Sequence, residues 1–154
     1  VIVPNYSRVL IVLSSVYFLI QIGLPLRHHF FSDNVLWTEE GHRLSWRMML
    51  RSKGGIATYT ITDKATNKST PIRMKDFLTK KQQRSATTKP DVIWQFAQYL
   101  KKHFAEKGMD VEVHVRTRVS INGKSYENLI DSKVDLANEE WHHFKHHDWI
   151  LPSK

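Results

Sequence analysis

The sequence contains no cysteine, which excludes disulfide bonds and thiolate metal sites. It also lacks a Gly-rich phosphate loop, and no spacing in it supports a Ser-His-Asp arrangement. Zinc-finger spacing and RNP-like aromatic motifs are absent, and the basic residues are scattered along the chain. A nucleic-acid partner is therefore not expected, and no nucleophilic catalytic site can be assigned.

Acidic residues are scarce relative to basic ones. The 154 residues include 23 Lys and Arg against 15 Asp and Glu, which gives a net charge of +8. This excess indicates an anionic partner or surface, such as an acidic polypeptide or anionic lipid. The length is sufficient for one domain with a hydrophobic core.

A long apolar run lies near the start of the chain. Val9 to Leu26 holds eighteen residues without charge, between Arg8 and Arg27. As a helix it would reach about 27 Å, close to the thickness of a bilayer's hydrocarbon core. A signal peptide and a buried core helix are the alternatives. We expect a transmembrane helix in residues 1–26, ending near Pro25, and an extramembrane domain in residues 27–154.

The segment from Leu36 to Lys53 combines two tryptophans, two adjacent carboxylates, three arginines and two methionines. A loop with so many aromatic and charged residues indicates binding or packing against another unit. Alternation from Trp46 to Lys53 predicts a strand, Gly54-Gly55 a hairpin turn, and Ile56 to Thr62 the partner strand.

The rest of the chain predicts one strong helix and further strands. Apolar residues at three- and four-residue spacing predict an amphipathic helix from Asp91 to Lys107, with Pro90 at its first turn. Strict alternation predicts a strand from Met109 to Ile121, with its valines on the buried face. Asn122-Gly123 predicts a type I′ turn into a return strand, Tyr126 to Ile130.

These patterns predict an α+β fold. One N-terminal transmembrane helix is followed by a mostly antiparallel sheet of four or five strands, on which the amphipathic helix packs. A further short helix is expected near Lys75 to Gln83. Trp141 and Trp149 are expected to anchor the irregular C-terminal segment.

Two clusters carry ionisable groups. Glu39 and Glu40 are neighbours, so their side chains should point apart, and a salt bridge to Arg43 or Arg47 is favoured over acid/base catalysis. The motif H-H-x-x-H-H would place i,i+4 histidine pairs on a helix, a spacing that can bind zinc. A solvated or membrane-facing pH-sensitive patch is favoured over a metal site. The candidate ligands are His142, His143, His146 and His147.

Three stretches resemble one enzyme family. W-T-E-E-G-H-R-L-S-W-R, beginning at Trp37, resembles the segment after the membrane region of vitamin K-dependent gamma-glutamyl carboxylases and their bacterial relatives. Val119 to Trp141 and the closing Trp149-Ile150-Leu151-Pro152 resemble the family's later motifs, in the same order. The resemblance implies the C-terminal portion of an integral membrane enzyme, with this domain on the lumenal or periplasmic side.

The resemblance also implies a chemistry. The family oxygenates vitamin K hydroquinone, or a related quinol, to an epoxide, which generates the base that removes a γ-proton from a protein glutamate before carbon dioxide adds. No metal is required. The family's catalytic lysine lies in its multi-helix membrane portion, which has no counterpart among these residues, so no catalytic residue is predicted and the isolated chain should be inactive. The implied partners are lipid, a glutamate-containing polypeptide and the remaining transmembrane helices of the same polypeptide.

The motif positions become the predicted substrate-binding residues, in apolar contact with the quinone or the glutamate-bearing peptide. Met49 is expected at the membrane mouth, with a mixed role for Trp46. His42 and Arg51 stand where the animal enzymes have tyrosine and histidine, which leaves open whether carboxylation or only epoxidation is retained. The full set is Trp37, Thr38, His42, Arg43, Ser45, Trp46, Met48, Met49 and Arg51. The alternative function is a non-catalytic, membrane-anchored module that binds an acidic polypeptide.

Overall fold

The computed structural model describes residues 6–31, 33–45 and 50–153. Four α-helices and three strands are found in these ranges. In chain order they are α1 (Ser7–Leu26), α2 (Val35–Thr38), β1 (Lys53–Asp63), β2 (Lys68–Ile72), α3 (Lys80–Thr88), α4 (Pro90–Ala105) and β3 (Val111–Ile121). Short 3-10 helices cover Arg27–Phe30 and Met74–Asp76. The α+β prediction is confirmed.

Helix α1 projects its apolar side chains into the surroundings rather than into the core. Leu19 is 73% exposed and Ile11 is 64% exposed, although both are large and apolar. By length and composition, this helix and its 3-10 extension could cross a membrane, and no other described helix could. Among the described residues, α1 is therefore not packed as a core helix.

The sheet is antiparallel with strand order β2-β1-β3. Along β3, buried residues alternate with more exposed ones, and Val113, Val115 and Val119 are fully buried. This is the face that the sequence alternation predicts. The described residues form three strands rather than the predicted four or five, because the segment after β3 makes only isolated bridges.

The predicted hairpin at Gly54-Gly55 is wrong. Both glycines lie inside β1, which runs without a turn from Lys53 to Asp63 and pairs with β3 along its whole length. A Cβ built on Gly55 would lie 2.4 Å from the Arg118 carbonyl oxygen, so this glycine permits close approach of the two strands. The predicted strand before it falls partly on residues 46–49, which lie outside the described residues.

We expect Gly55→Ala to lower the free energy of unfolding by about 2 kcal/mol, since the new methyl group must push β3 away. Gly54→Ala is the matched control, because nothing lies within 4 Å of its Cβ position. It should be neutral or slightly stabilising. Thermal or denaturant unfolding of both variants measures the difference, and equal losses would contradict the close-approach explanation.

Helices α3 and α4 cover one face of the sheet. In α4, Ile93, Ala97 and Leu100 are fully buried, and Pro90 occupies the first turn as predicted. Helix α3 begins with a capping box between Thr79 and Gln82 and lies further along the chain than the predicted helix near Lys75 to Gln83. The core therefore lies between the sheet and these two helices.

The C-terminal segment wraps around the edge of β3. Asn122 and Gly123 both have positive φ, as a type I′ turn requires. The predicted return strand Tyr126 to Ile130 is reduced to bridges, because the buried Thr117 hydroxyl accepts the backbone N–H groups of Leu129 and Ile130. These two N–H groups therefore donate to a side-chain hydroxyl instead of to the backbone carbonyls of a neighbouring strand.

Candidate functional site

The segment that follows α1 is fixed by Trp37. Its indole is 2% exposed, and its Nε1 donates a 2.7 Å hydrogen bond to the Leu151 carbonyl. The Asn34 side chain caps α2 by accepting from the Leu36 N–H, and Glu39 ends the helix in the left-handed conformation. The W-T-E-E-G motif thereby connects the C-terminal end of α1 to the C-terminal segment that contains Leu151.

Gly41 brings this segment against the end of α1. Its φ is +66°, and a Cβ there would lie 2.8 Å from the His28 Cα and 2.9 Å from the Phe31 ring. Both the backbone angle and the space favour glycine. The Arg27 guanidinium also donates to the Arg43 carbonyl at 3.0 Å, so the segment is held to α1 by packing and by a hydrogen bond.

The two neighbouring carboxylates point apart, as predicted, but their partners differ from the expected ones. Glu39 lies 2.8 Å from Arg51 Nη2 and 3.2 Å from Lys53 Nζ. Arg43 pairs with Asp91, with its Nε 2.8 Å from the carboxylate, instead of with either glutamate. Of the two predicted partners, Arg43 is therefore wrong, because α4 presents Asp91 from another part of the chain, and Arg47 lies outside the described residues.

Lys53 is buried beneath the segment. Its ammonium donates to the Trp37 carbonyl, contacts Glu39 and lies 5.5 Å from the Trp37 ring centroid. Burial lowers the pKa of Lys53 to about 8, although the Glu39 charge opposes this shift. The positive charge of this lysine is therefore less favourable in the fold than it would be in water.

Lys53 should make stability rise with pH in the alkaline range. The unfolded chain keeps the lysine proton up to its ordinary pKa of 10.5, whereas the folded chain releases it near 8. Because the unfolded state binds more protons in this window, the free energy of unfolding should increase by about 1 to 2 kcal/mol between pH 8 and 9.5. Denaturant titrations at several pH values should show this rise in the wild type. Lys53→Met should remove it, and parallel curves would refute the assignment.

Glu40 is held by two histidines from the C-terminal segment. Its carboxylate is 2.6 Å from His146 Nδ1 and 2.8 Å from His147 Nδ1, and it also accepts the His147 backbone N–H at 2.9 Å. The Nε2 of His147 accepts the His142 N–H, so the ring proton lies on Nδ1, facing Glu40. We call Glu40, His146 and His147 the clasp.

The clasp sets the charge of Glu40. Burial raises the pKa of this carboxyl, but the hydrogen bonds from His147 and His146 outweigh it, and the net pKa is lowered from about 4.5. An ionised carboxylate is accordingly kept at 3% exposure. The clasp joins residues more than one hundred positions apart in the chain.

Aromatic rings support the clasp. The Trp141 ring stacks on His147 with centroids 4.4 Å apart, and Trp149 lies 5.3 Å from the same histidine. Trp94 of α4 lies 5.9 Å from Trp141 and donates its indole N–H to the Glu139 carbonyl. Trp141 and Trp149 therefore anchor the C-terminal segment as predicted.

A cavity of about 430 Å³ opens between the end of α1, the N-terminal turn of α4 and the clasp. Arg27 and Arg43 contribute guanidinium groups, and Trp94 and Trp141 contribute aromatic surface. The Arg27 Nε is buried and has no hydrogen-bond partner among the described residues. The lining residues are Arg27, Phe31, Glu39, Glu40, Gly41, Arg43, Asp91, Trp94, Gln95, Trp141, His142 and His143.

The predicted substrate-binding residues do not all lie at the cavity. Arg43 lines the cavity, and Trp37 and Thr38 lie in the interior behind it. The Ser45 hydroxyl donates a hydrogen bond to the His42 carbonyl, which stabilises this turn. Arg51 forms a salt bridge with Glu39. Trp46, Met48 and Met49 lie outside the described residues, so the expected place of Met49 at the membrane mouth and the mixed role of Trp46 stay predictions.

The four candidate metal ligands do not lie on a helix. Residues 141–149 adopt turns and bends, so the i,i+4 pairing of His142 with His146 is not realised. His146 and His147 bind Glu40 instead, while His142 and His143 are exposed. The solvated patch expected for the whole cluster is wrong for His147, which is buried.

Several site residues were missed by sequence reasoning. Lys53 ends the Leu36 to Lys53 segment but was given no role, and Asp91 and Trp94 come from α4, far from that segment in sequence. Arg27 was assigned only as a flank of the apolar run. The local signal is Gly41, because its positive φ and its packing on His28 both favour glycine.

Comparison with known proteins gives one match. Residues 6–154 match the family model described as vitamin K-dependent gamma-carboxylase, lumenal domain. Neither the curated proteins nor the solved structures give a match. Because the match spans nearly the whole sequence, the chain belongs to the vitamin K-dependent gamma-carboxylase lumenal domain family.

Proposed function

We propose that this chain is the membrane-proximal domain of a vitamin K-dependent gamma-carboxylase-like integral membrane enzyme, with residues 1–26 as its last transmembrane helix. Its cavity helps to bind the glutamate-containing polypeptide and the quinol. The observation that carries the proposal is Arg27, which lines the cavity at the point where the apolar helix ends and has no ion-pair partner among the described residues. The family membership supports the enzyme class.

The cavity suits both molecules. A guanidinium group binds a carboxylate through parallel hydrogen bonds, so Arg27 would receive the glutamate side chain or another anionic group of the peptide. Trp94, Trp141 and Phe31 offer the apolar surface that a quinol ring needs. In the family, oxygenation of the quinol supplies the base that removes the γ-proton. The residues of this chain would orient the peptide and exclude water, while the chemistry takes place in the rest of the enzyme.

Arg43 has a positioning role in this proposal. Its guanidinium is tied to Asp91 of α4, and its carbonyl accepts from Arg27. The pair therefore sets the distance between the end of α1 and the start of α4, the two elements that bound the cavity. Arg27, which has no ion-pair partner among the described residues, is left as the group that contacts the peptide.

The test is steady-state kinetics of the complete enzyme with a glutamate-containing peptide and vitamin K hydroquinone. We expect Arg27→Gln to raise the peptide KM about tenfold or more, since a charged hydrogen bond is lost, with little change in Tm. Arg118→Gln is the matched control, because Arg118 is exposed on the far face of β3. An unchanged peptide KM in Arg27→Gln, or an equal rise in Arg118→Gln, would reject the assignment.

A second function rests on a different surface. Arg116 and Arg118 are exposed beside Tyr126 in an open groove of about 900 Å³, and the described residues provide no ion-pair partner for either arginine. This basic groove would suit a non-catalytic module that binds an acidic polypeptide, although Glu127 and Asp131 also line it. Under this alternative, Arg118→Gln would weaken binding of the polypeptide and Arg27→Gln would not.

A further inference from the structure

Three large apolar side chains are exposed next to the end of α1. Phe30 is 87% exposed, Leu44 is 67% exposed and Phe144 is 76% exposed. They come from three separate segments: the 3-10 turn after α1, the turn after Glu40 and the His-rich C-terminal loop. Single exposed apolar residues are ordinary, but three that converge on one end of a domain indicate an interaction surface.

The contacts of these segments place them around one rim. The turn that carries Leu44 packs on His28 and Phe31 through Gly41, and its Arg43 carbonyl accepts from Arg27. The loop that carries Phe144 is tied to the same turn, because His146 and His147 on its C-terminal side bind Glu40. Its N-terminal side, through His142 and His143, lines the cavity together with Arg27 and Arg43.

Leu44 is held outward by its backbone. Its φ is +65°, in the left-handed region that branched side chains rarely adopt. The adjacent turn is fixed by hydrogen bonds from the His42 N–H to Glu39 and from the Ser45 N–H to His42. An aliphatic side chain kept exposed in a disfavoured conformation is consistent with a contact outside this chain.

Cationic groups surround the apolar ones. Arg27 and Arg43 lie at the cavity rim, and Lys145 follows Phe144 and is exposed, with no ion pair among the described residues. Aromatic and aliphatic side chains flanked by Lys and Arg are the composition of segments that lie in the interfacial region of a bilayer. The apolar helix α1 leads directly into this rim, so a bilayer that α1 crosses would lie beside these side chains.

We propose that Phe30, Leu44 and Phe144 form a membrane-contact rim, in which the turn after Glu40 and the His-rich loop dip into the head-group region beside α1. The bilayer is the occupant. The clasp holds the Phe144 loop at this depth, and the cavity mouth then opens at the membrane surface. This inference rests on the proposed membrane crossing of α1.

The absence of cysteine makes the test specific, since each introduced cysteine carries the only label. The full chain is reconstituted in vesicles of phosphatidylcholine and phosphatidylglycerol. Leu44→Cys and Phe144→Cys each carry a fluorophore, and quenching is compared for nitroxides near the head group and deep in the acyl chain. Val16→Cys, in the middle of α1, reports whether α1 enters the membrane. Ile56→Cys is the matched control, because Ile56 is apolar and 68% exposed on the sheet.

We expect labels at positions 44 and 144 to be quenched several-fold more by the shallow nitroxide than the label at position 56. The label at position 16 should be quenched most by the deep nitroxide. If positions 44 and 144 behave like position 56 while position 16 is quenched, the rim is refuted and the anchor stands. An unquenched label at position 16 refutes both. Lys145→Cys replaces Phe144→Cys if the Tm of that variant falls, so the loop is tested in either case.

Discussion

Glu40→Gln is expected to lower the free energy of unfolding by about 3 kcal/mol. The carboxylate accepts hydrogen bonds from His146, from the His147 ring and from the His147 backbone. An amide keeps one oxygen but turns an NH2 group toward these donors, so at least one buried donor loses its acceptor. Glu140→Gln makes the same chemical change on an exposed side chain and should be nearly neutral.

The same substitution should change the response to acid. The pKa of Glu40 is lowered in the folded chain, so the unfolded chain binds a proton first as the pH falls below about 4.5. The clasp's contribution is therefore present above that value and is lost as the pH falls through the folded pKa. Unfolding curves of the wild type and Glu40→Gln should converge toward low pH. A constant gap between them down to pH 3 would mean that Glu40 is not ionised in the fold.

Val113→Asp is expected to cost several kcal/mol, enough to threaten folding. Val113 is fully buried on the helix-covered face of β3, where a carboxylate finds no cation among the described neighbours. Its backbone N–H already donates to Asp135 at 2.7 Å, so the new charge would also lie near a like charge.

His114→Asp is the neighbouring control. His114 is partly exposed on the other face of β3, and its ring lies 3.3 Å from Glu112. We expect a loss under about 1 kcal/mol, because the new carboxylate stays hydrated. Thermal unfolding of both variants under the same conditions provides the comparison. Similar losses would show that the outer face of the sheet is covered in the folded protein.

Local pattern predicted most of the regular structure. Each of three sequence patterns depends only on residues close together in the chain, and the structure agrees with all three. They are the alternation in β3, the spacing in α4 and the uncharged run in α1. Asn122-Gly123 predicted its turn because positive φ at both positions is a local requirement. The family motifs around Trp37 and Val119 are likewise continuous in sequence, and they identified the family that the comparison confirms.

Glycine was harder to interpret than periodicity. Gly54-Gly55 has the composition of a hairpin turn, yet the chain continues through it as a strand. Only the position of the Arg118 carbonyl, at the matching place in β3, explains why Gly55 has no side chain. A close approach between strands leaves no signal in the sequence of either strand alone.

The sequence by itself determined the apolar helix, the faces of β3 and α4, and the family, since each of these depends on neighbouring residues. Only the tertiary structure decided the chemistry of the charged groups. Glu40 meets His146 and His147, Glu39 meets Lys53, and Arg43 meets Asp91 because the fold brings distant segments together. The physical reason is that a buried charge must find partners wherever the packed chain supplies them, and those partners need not be close in sequence.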